Sequence, residues 1–429
     1  MGSGSGRERQ SLFLITAAFP FGEQETFLEA EVPHLAGAFE RVVIIPEAAG
    51  GNPRPVPPNV RIEKGLADAH QRRRRLLTPL TAARNPLFWR ELVGRPATVG
   101  QKSALRRLSG SAAAMRRAER WLTEFIARAD VDPETDIFYS YWLASAAAAL
   151  GALRIRHPGL VAVSRAHGID LYHERHSYRY LPLQGFAVAN LKRVFPVSEN
   201  GAGYLRAKYP AGARTIRPAR LGVRDPGWIT RPSSDAILRV VSCANLYPVK
   251  RIDLLVRAIA ALSRIVERPV VWNHFGDGYM RQEVEDLAGT ILSSHVRFTL
   301  HGRIPNSELL EWYRRQPVDV FANVSESEGI PVSIMEAQSF GIPVVATGVG
   351  GVPEIVNAEV GALLGPDPSP EEVARSLARF APDTEHGQVR RRSRALWEAR
   401  YDAATNYSAF AQLLQREAEG REGLKVTSA

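Results

Sequence analysis

A chain of 429 residues exceeds what one core usually serves, so two domains of roughly 200 residues each are expected. A composition 45% hydrophobic and 23% charged is that of a globular protein able to bury sizeable cores. One cysteine, Cys243, excludes an internal disulfide and suits a reducing compartment. No run of about 18 apolar residues exists and the opening MGSGSGRERQ lacks an apolar signal core, so the expected location is cytoplasmic, free or peripheral on the inner face of the membrane.

The net charge of +10 is localised. Between Arg72 and Arg120 thirteen Arg or Lys stand against two acids, Glu91 and Glu119, which accounts for the whole excess. With RRRR at Arg72–Arg75 and Leu76, Leu77, Leu80, Leu87, Phe88 and Trp89 interleaved, segment 72–120 suits an anionic membrane surface. A solvated basic linker or helical face is the plainer reading, and nucleic acid the weakest.

In chain order, SLFLITAAF (Ser11–Phe19) is a short apolar run bounded by Pro20 and Gly22, a buried first strand. The loop FPFGEQETF leads into FLEAEVPHLAGAF with helical apolar spacing, and RVVIIP (Arg41–Pro46) is the next strand. A β-loop-α-β opening is the signature of a doubly wound sheet, whose ligands gather at the carboxyl ends of strands. Gly22, Glu25 and Thr26 are therefore candidate ligand neighbours, with an ordinary helix start as the competing explanation. DIFYSYWLASAAAAL (Asp136–Leu150) is a strand passing into an Ala-rich helix. LVAVSRAHGIDLY (Leu160–Tyr172) is a strand ending in a polar elbow at His167-Gly168, and RVFPVSENGAGYLRAKYP (Arg193–Pro210) is a further strand and helix.

RDPGWITRPSSD (Arg224–Asp235), rich in Pro, Gly and Ser, reads as an interdomain linker. The expected organisation is an N-terminal domain over 1–225, a linker over 226–236, a C-terminal domain over 237–400 and a helical tail over 401–429 that crosses back to the N-terminal domain. The second half repeats the βα rhythm in LRVVSCANL, VVWNHFGDGYM, VRFTLHGRI and VDVFANV, so a second parallel sheet is the economical reading. Lys250 falls in the loop after the first of these strands.

The last strand delivers the chain into Ser325-Glu326-Ser327-Glu328-Gly329, followed by IPVSIME to Glu336. If Val332 opens a helix, Pro331 sits where its missing N–H costs little, and the free amides behind a Gly-containing turn form an anion site suited to phosphate. Glu328 at the strand end can bond hydroxyls or brace a developing cation, Glu336 can accept from vicinal hydroxyls such as those of a ribose, and Lys250 adds positive charge for the same phosphate. Taken alone, each residue is better explained as an exposed Glu at a helix start or a solvated Lys.

Taken together, these spacings resemble a known family. The E-x7-E pair Glu328 and Glu336 within SESEGIPVSIMEAQSFGIPVVATGVGGVPEIV resembles the donor site of retaining family 4 glycosyltransferases of the GT-B fold, glycosyl transferases group 1. NLYPVKRIDLL, FGDGYMRQEVEDLA, FTLHGRIPNSELLEWY, SRAHGIDLY and FPFGEQETF extend the resemblance over most of the chain. It implies an α/β GT-B architecture, two Rossmann-like domains facing each other across a deep cleft, with the N-terminal domain on the acceptor side. It also implies that Glu328 contacts the donor sugar, that Glu336 holds the nucleotide ribose, and that backbone around Gly329, Ile330, Val332 and Ser333 holds the pyrophosphate or sugar. His167 matches an element near the transferred sugar, Gly22 a loop approaching the donor, and Ile304 a position touching the base. Lys250 matches half of a diphosphate clamp whose arginine is replaced by Asn245; Arg251 is a candidate to compensate.

The implied reaction moves a sugar from a nucleotide-diphosphate donor to an acceptor hydroxyl with retention, Glu328, His167 and Lys250 being the candidate catalytic residues. No cofactor beyond the donor and no metal is expected, and Asp130-Val131-Asp132 reads as structural. The acceptor implied is lipid-linked or an oligosaccharide, in polysaccharide or glycolipid synthesis. A nucleotide-sugar 2-epimerase of the same architecture and a non-catalytic protein for anionic surfaces or nucleic acid are the alternatives.

Overall fold

The computed structural model describes residues 10–22, 25–71, 78–95, 101–129, 131–176, 178–381 and 386–420. By its internal contacts the chain divides into two compact units, Met1–Arg220 with Ala404–Ala429, and Leu221–Ala403.

The first unit is built on a six-stranded parallel sheet: β1 (Ser11–Thr16), β2 (Arg41–Pro46), β3 (Val60–Ile62), β4 (Ile137–Ser140), β5 (Val161–Ala166) and β6 (Arg193–Pro196), in the order β3-β2-β1-β4-β5-β6. All six residues of SLFLIT are buried, as a strand covered on both faces requires. Alternation divides them: Phe13 and Ile15 join a core with Leu122 and Phe125 of the helix Lys102–Arg128, whereas Leu12 and Leu14 join one with Leu28 and Val32 of the helix Leu28–Ala38. The chain's last described helix, Ala403–Ala418, contributes Phe410, Ala411 and Leu414 to the second core. Arg165 is fully buried there: its Nε donates to the Tyr139 hydroxyl (2.9 Å), its Nη1 to the Ala219 carbonyl (2.8 Å), and its guanidinium lies 3.9 Å from the Phe410 ring centre. Glu31, 3.4 Å away, supplies the opposite charge that makes such burial tolerable.

The basic window forms the helices Thr78–Ala83, Pro86–Gly94 and the first part of Lys102–Arg128; residues 72–77 and 96–100 lie outside the described residues. Asn85 caps the second helix by accepting from the Leu87 amide (3.0 Å), and Ala82, Phe88, Leu108 and Tyr180 form a small core beneath. Leu80, Trp89 and Val93 stay exposed, and the Trp89 indole donates to the Ala83 carbonyl (2.8 Å).

The second unit has its own parallel sheet: β7 (Leu238–Cys243), β8 (Val270–Phe275), β9 (Val296–Leu300), β10 (Val320–Asn323), β11 (Val344–Thr347) and β12 (Gly361–Leu364), ordered β12-β11-β10-β7-β8-β9. The helix Ile252–Ile265 buries Leu255, Val256, Ile259 and Leu262, one face at helical spacing, against Val240 and Trp272. The segment Arg224–Asp235 forms no strand or helix yet does not hang free. Thr230 bonds the carbonyls of Phe340 (3.0 Å) and Tyr313 (2.7 Å), and the buried Asp319 carboxylate accepts from the amide and hydroxyl of Ser233. It is a strap on the second unit. In both sheets the strand order reverses once, between β1 and β4 and between β7 and β10, which is where open α/β sheets accept ligands.

Candidate active site

At the reversal between β7 and β10 the carboxyl ends of two strands present Lys250 and Glu328. Glu328 is 5% exposed, and its Oε1 lies 2.5 Å from the Lys250 Nζ and 3.4 Å from the Asn323 side-chain Nδ2. The loop that carries it is held from three sides. Thr347 donates to the Ser325 carbonyl (2.6 Å), the Glu326 amide to Val249 (2.8 Å), and the Gly351 amide to Gly329 (2.7 Å). The last contact needs glycine at 350: its φ is +54°, and a Cβ there would stand 1.9 Å from the Glu328 carbonyl oxygen. The Gly-Gly exit of the motif is thus a brace pressed against the backbone of the first Glu.

Lys250 closes a short 3-10 turn, Pro248–Lys250, and Arg251 follows in the left-handed region (φ 49°, ψ 43°). That twist turns the Arg251 guanidinium back on the loops. It donates to the carbonyls of Val324 (2.7 Å), Ser325 (3.2 Å) and Pro366 (2.8 Å) and meets Asp367 at 3.1 Å. Arg251 is therefore a tie between the Lys250 loop and the Glu328 loop, while Asn245 stands exposed two residues after β7.

The helix Val332–Ser339 begins after Pro331, as its sequence requires. Its first internal bond runs from the Ile334 amide to the Pro331 carbonyl (3.1 Å), so the half-buried Val332 and Ser333 stand ahead of the helical ladder; Gly329 and Ile330 are buried in the turn before them. One turn on, the Glu336 carboxyl is 8% exposed and accepts from the Asn306 side chain at 2.7 Å. Burial pushes its pKa up to about 7, with the Asn306 bond opposing. Cys243, at the end of β7, has its thiol pushed up to about 12, chiefly by burial and secondly by the Glu336 charge. Ile304 lies half-buried in the loop after β9, two residues before Asn306.

Gly22 and His167 belong to the first unit. Gly22 takes a φ of +66° in the loop after β1. That loop is closed by Glu25, whose carboxylate accepts from the amides of Ala17 (3.0 Å), Ala18 (2.8 Å) and Phe19 (2.7 Å) and from the Trp142 indole (2.6 Å), across the reversal between β1 and β4. Such a carboxylate is a structural clamp. His167, 8% exposed, has its ring within 4.6 Å of the Tyr141 and Trp142 ring centres and 6.0 Å from Phe27. Among the described residues neither of its ring nitrogens has a hydrogen-bond partner. Its backbone amide donates to Asp170, which also accepts from Leu143 (2.7 Å) and so fixes the elbow.

Three contributors escaped the sequence reading. Asn323 is the last residue of a strand and Asn306 the first of a helix thirty residues from its partner; neither has a local signal. Gly350 did have one, a Gly-Gly pair, although its role emerges only from the carbonyl it abuts. Of Asp130-Val131-Asp132, Asp130 lies outside the described residues, and Asp132 accepts from the Glu134 amide (3.0 Å), a turn contact.

Residues 238–383 match the family model "Glycosyl transferases group 1", which includes both Glu328 and Glu336. A D-inositol 3-phosphate glycosyltransferase of Streptomyces griseus subsp. griseus is 35% identical over 202 residues, 45% of this chain and 39% of the relative. The chain spans 37% of the corresponding enzyme of Streptomyces bingchenggensis at 34% identity, so it covers well under half of either curated relative. Sucrose-phosphate synthase from Thermosynechococcus elongatus superposes with a TM-score of 0.69 over 96% of this chain and 100% of that one, at 17% identity. Anabaena HepE, solved with UDP-glucose, gives 0.61 over 94% and 99%, at 18% identity. The two six-stranded sheets with their flanking helices are the GT-B fold. Over residues 238–383 the chain is similar to glycosyl transferases group 1.

Proposed function

We propose that the protein transfers a sugar from a nucleotide-diphosphate donor to an acceptor hydroxyl, with retention at the anomeric carbon. The observation that carries this is the Lys250–Glu328 pair at the strand reversal, in front of the start of the helix Val332–Ser339. The cation and the leading amides of Val332 and Ser333 suit a diphosphate, and Glu328 suits the sugar hydroxyls beside it. In the reaction the bond from the anomeric carbon to the donor phosphate oxygen breaks, its electron pair leaving with the nucleoside diphosphate. Lys250 and the helix start stabilise the charge that grows on that oxygen. The acceptor oxygen bonds to the same face, and its proton passes to the departing phosphate. No Glu is assigned as a nucleophile, no metal is given a step, and turnover is expected to survive EDTA. Glu336, buried and oriented by Asn306, is assigned to the ribose hydroxyls, and His167, in its aromatic surround, to the transferred sugar.

The acceptor is proposed to be lipid-linked or an oligosaccharide, and the protein to be cytoplasmic and peripheral. Leu80, Trp89 and Val93 stand out from the helices Thr78–Ala83 and Pro86–Gly94, which carry Arg90 and are followed directly by Arg84 and Arg95, a pairing of apolar anchors and positive charge that fits an anionic bilayer. No described helix is long and apolar enough to cross a membrane. Incubation with UDP-, GDP- and ADP-sugars, each with and without lipid and oligosaccharide acceptors, tests the function. Release of nucleoside diphosphate together with an α-linked product from an α-linked donor is expected. A free epimerised sugar without acceptor would mark an epimerase, and the absence of any nucleotide-sugar binding would defeat the enzyme reading. Flotation with phosphatidylglycerol vesicles, lost in Trp89→Asp and in high salt, tests the surface.

A further inference from the structure

One exposed aromatic pair beside the site has no structural employment. Tyr247 and Tyr279 stack on each other with ring centres 5.3 Å apart and planes at 23°, yet Tyr247 is 38% and Tyr279 77% exposed. They lie in neighbouring loops, after β7 and after β8, at the same carboxyl edge of the sheet as Lys250. Backbone bonds lock these loops together: the Leu246 amide donates to Asp277 (3.0 Å) and the Met280 amide to Leu246 (3.3 Å). Gly278 permits this approach, since a Cβ on it would fall 2.4 Å from the Leu246 carbonyl oxygen. On the other side, the Lys250 amide donates to the Tyr247 carbonyl (2.9 Å), so the turn that begins at Tyr247 is the turn that presents the lysine. A rigid scaffold thus holds two aromatic rings in water, where their burial gains nothing for the fold.

Strand order says what they face. The sequence β10-β7-β8 puts Glu328 on one side of Lys250 and Tyr279, on which Tyr247 of the Lys250 turn stacks, on the other. A nucleotide sugar is a linear molecule: sugar, diphosphate, ribose, base. With the diphosphate at Lys250 and the sugar at Glu328, the nucleoside must extend toward β8. We infer that Tyr247 and Tyr279 form a stacking platform for the donor's nucleobase, Tyr279 presenting its free face and Tyr247 backing it. This rests on the nucleotide-sugar reading above. A ring face without directional donors accepts any base, so the platform supplies affinity, and discrimination between bases falls to other groups.

Calorimetric titration of wild-type protein with UDP, GDP, ADP and inorganic pyrophosphate tests it, followed by Tyr279→Ala, Tyr247→Ala and Tyr279→Phe with the nucleotide that binds best. Both rings are solvent-exposed, and unchanged melting temperatures will show that the variants fold. The expected result is about a tenfold loss of nucleotide affinity in Tyr279→Ala, a smaller loss in Tyr247→Ala and retention in Tyr279→Phe, with pyrophosphate affinity the same throughout. Equal nucleotide affinity in wild type and Tyr279→Ala overturns the platform while leaving the donor site standing. A parallel loss of pyrophosphate affinity also overturns it, because the effect would then be on the Lys250 turn. Failure of wild-type protein to bind any of the three nucleotides removes the donor-site reading and the platform with it.

Discussion

Each unit places a glutamate at the reversal of its strand order, and the two glutamates are in opposite situations. Glu25 is saturated: three backbone amides and an indole converge on its two oxygens and shape the loop after β1. Glu328 is equally buried but is met by the ammonium of Lys250, a flexible side chain, and by Asn323 at 3.4 Å. Backbone donors cannot leave without unfolding the loop, whereas an ammonium on a four-carbon stem can turn to a phosphate. The difference teaches that burial alone does not distinguish the two carboxylates; the kind of donor that meets each one does.

That contrast is broken most severely at Lys250. Lys250→Ala is expected to lower kcat/KM about a thousandfold, since it removes the only assigned side-chain cation for the leaving group; steady-state kinetics with the preferred donor check this. Glu328→Gln is expected to lower turnover about a hundredfold while nucleoside diphosphate binding is kept or tightened, because the lysine is released from its partner. Calorimetry against UDP or its analogue separates the two effects, and weaker binding would contradict the assignment of Lys250 to phosphate. The counterpart in the first unit behaves differently: Glu25→Gln is expected to cost about 2 kcal/mol of stability, read by chemical denaturation, with nucleotide affinity unchanged.

The first of these predictions turns on residues visible in the sequence, the third on one whose contacts no local pattern announces. Glu328, Glu336 and Lys250 were legible because their loops follow apolar strands and their spacing is local. Most strands of the two sheets were legible because they are short apolar runs, as in RVVIIP, whose bounds the structure reproduces, whereas Val60–Ile62 and Gly361–Leu364 are too short or too weakly β-branched to stand out. Glu25 stands in the sequence as a ligand neighbour or part of an ordinary helix start, and nothing local reveals that three amides of its own loop and an indole 117 residues away point at it. Arg251 likewise gained its role from a left-handed backbone that composition does not announce, and the Arg224–Asp235 strap from bonds to residues 83 and 86 positions on.

A smaller effect sharpens the donor side. The raised pKa of Glu336 means that its neutral form is favoured in the free folded protein. Its contribution to stability is therefore complete below about 4.5 and lost as pH rises through about 7. Binding ribose hydroxyls calls for the carboxylate, so donor KM is expected to fall several-fold between pH 6 and 8, and Glu336→Gln to flatten both the KM profile and the stability profile over that range.

The most direct test of the whole account is calorimetric titration of nucleoside diphosphate into wild-type, Glu25→Gln and Lys250→Ala proteins side by side. Binding retained in wild type and Glu25→Gln but lost, or weakened at least tenfold, in Lys250→Ala is the predicted result. Equal binding in wild type and Lys250→Ala would contradict it.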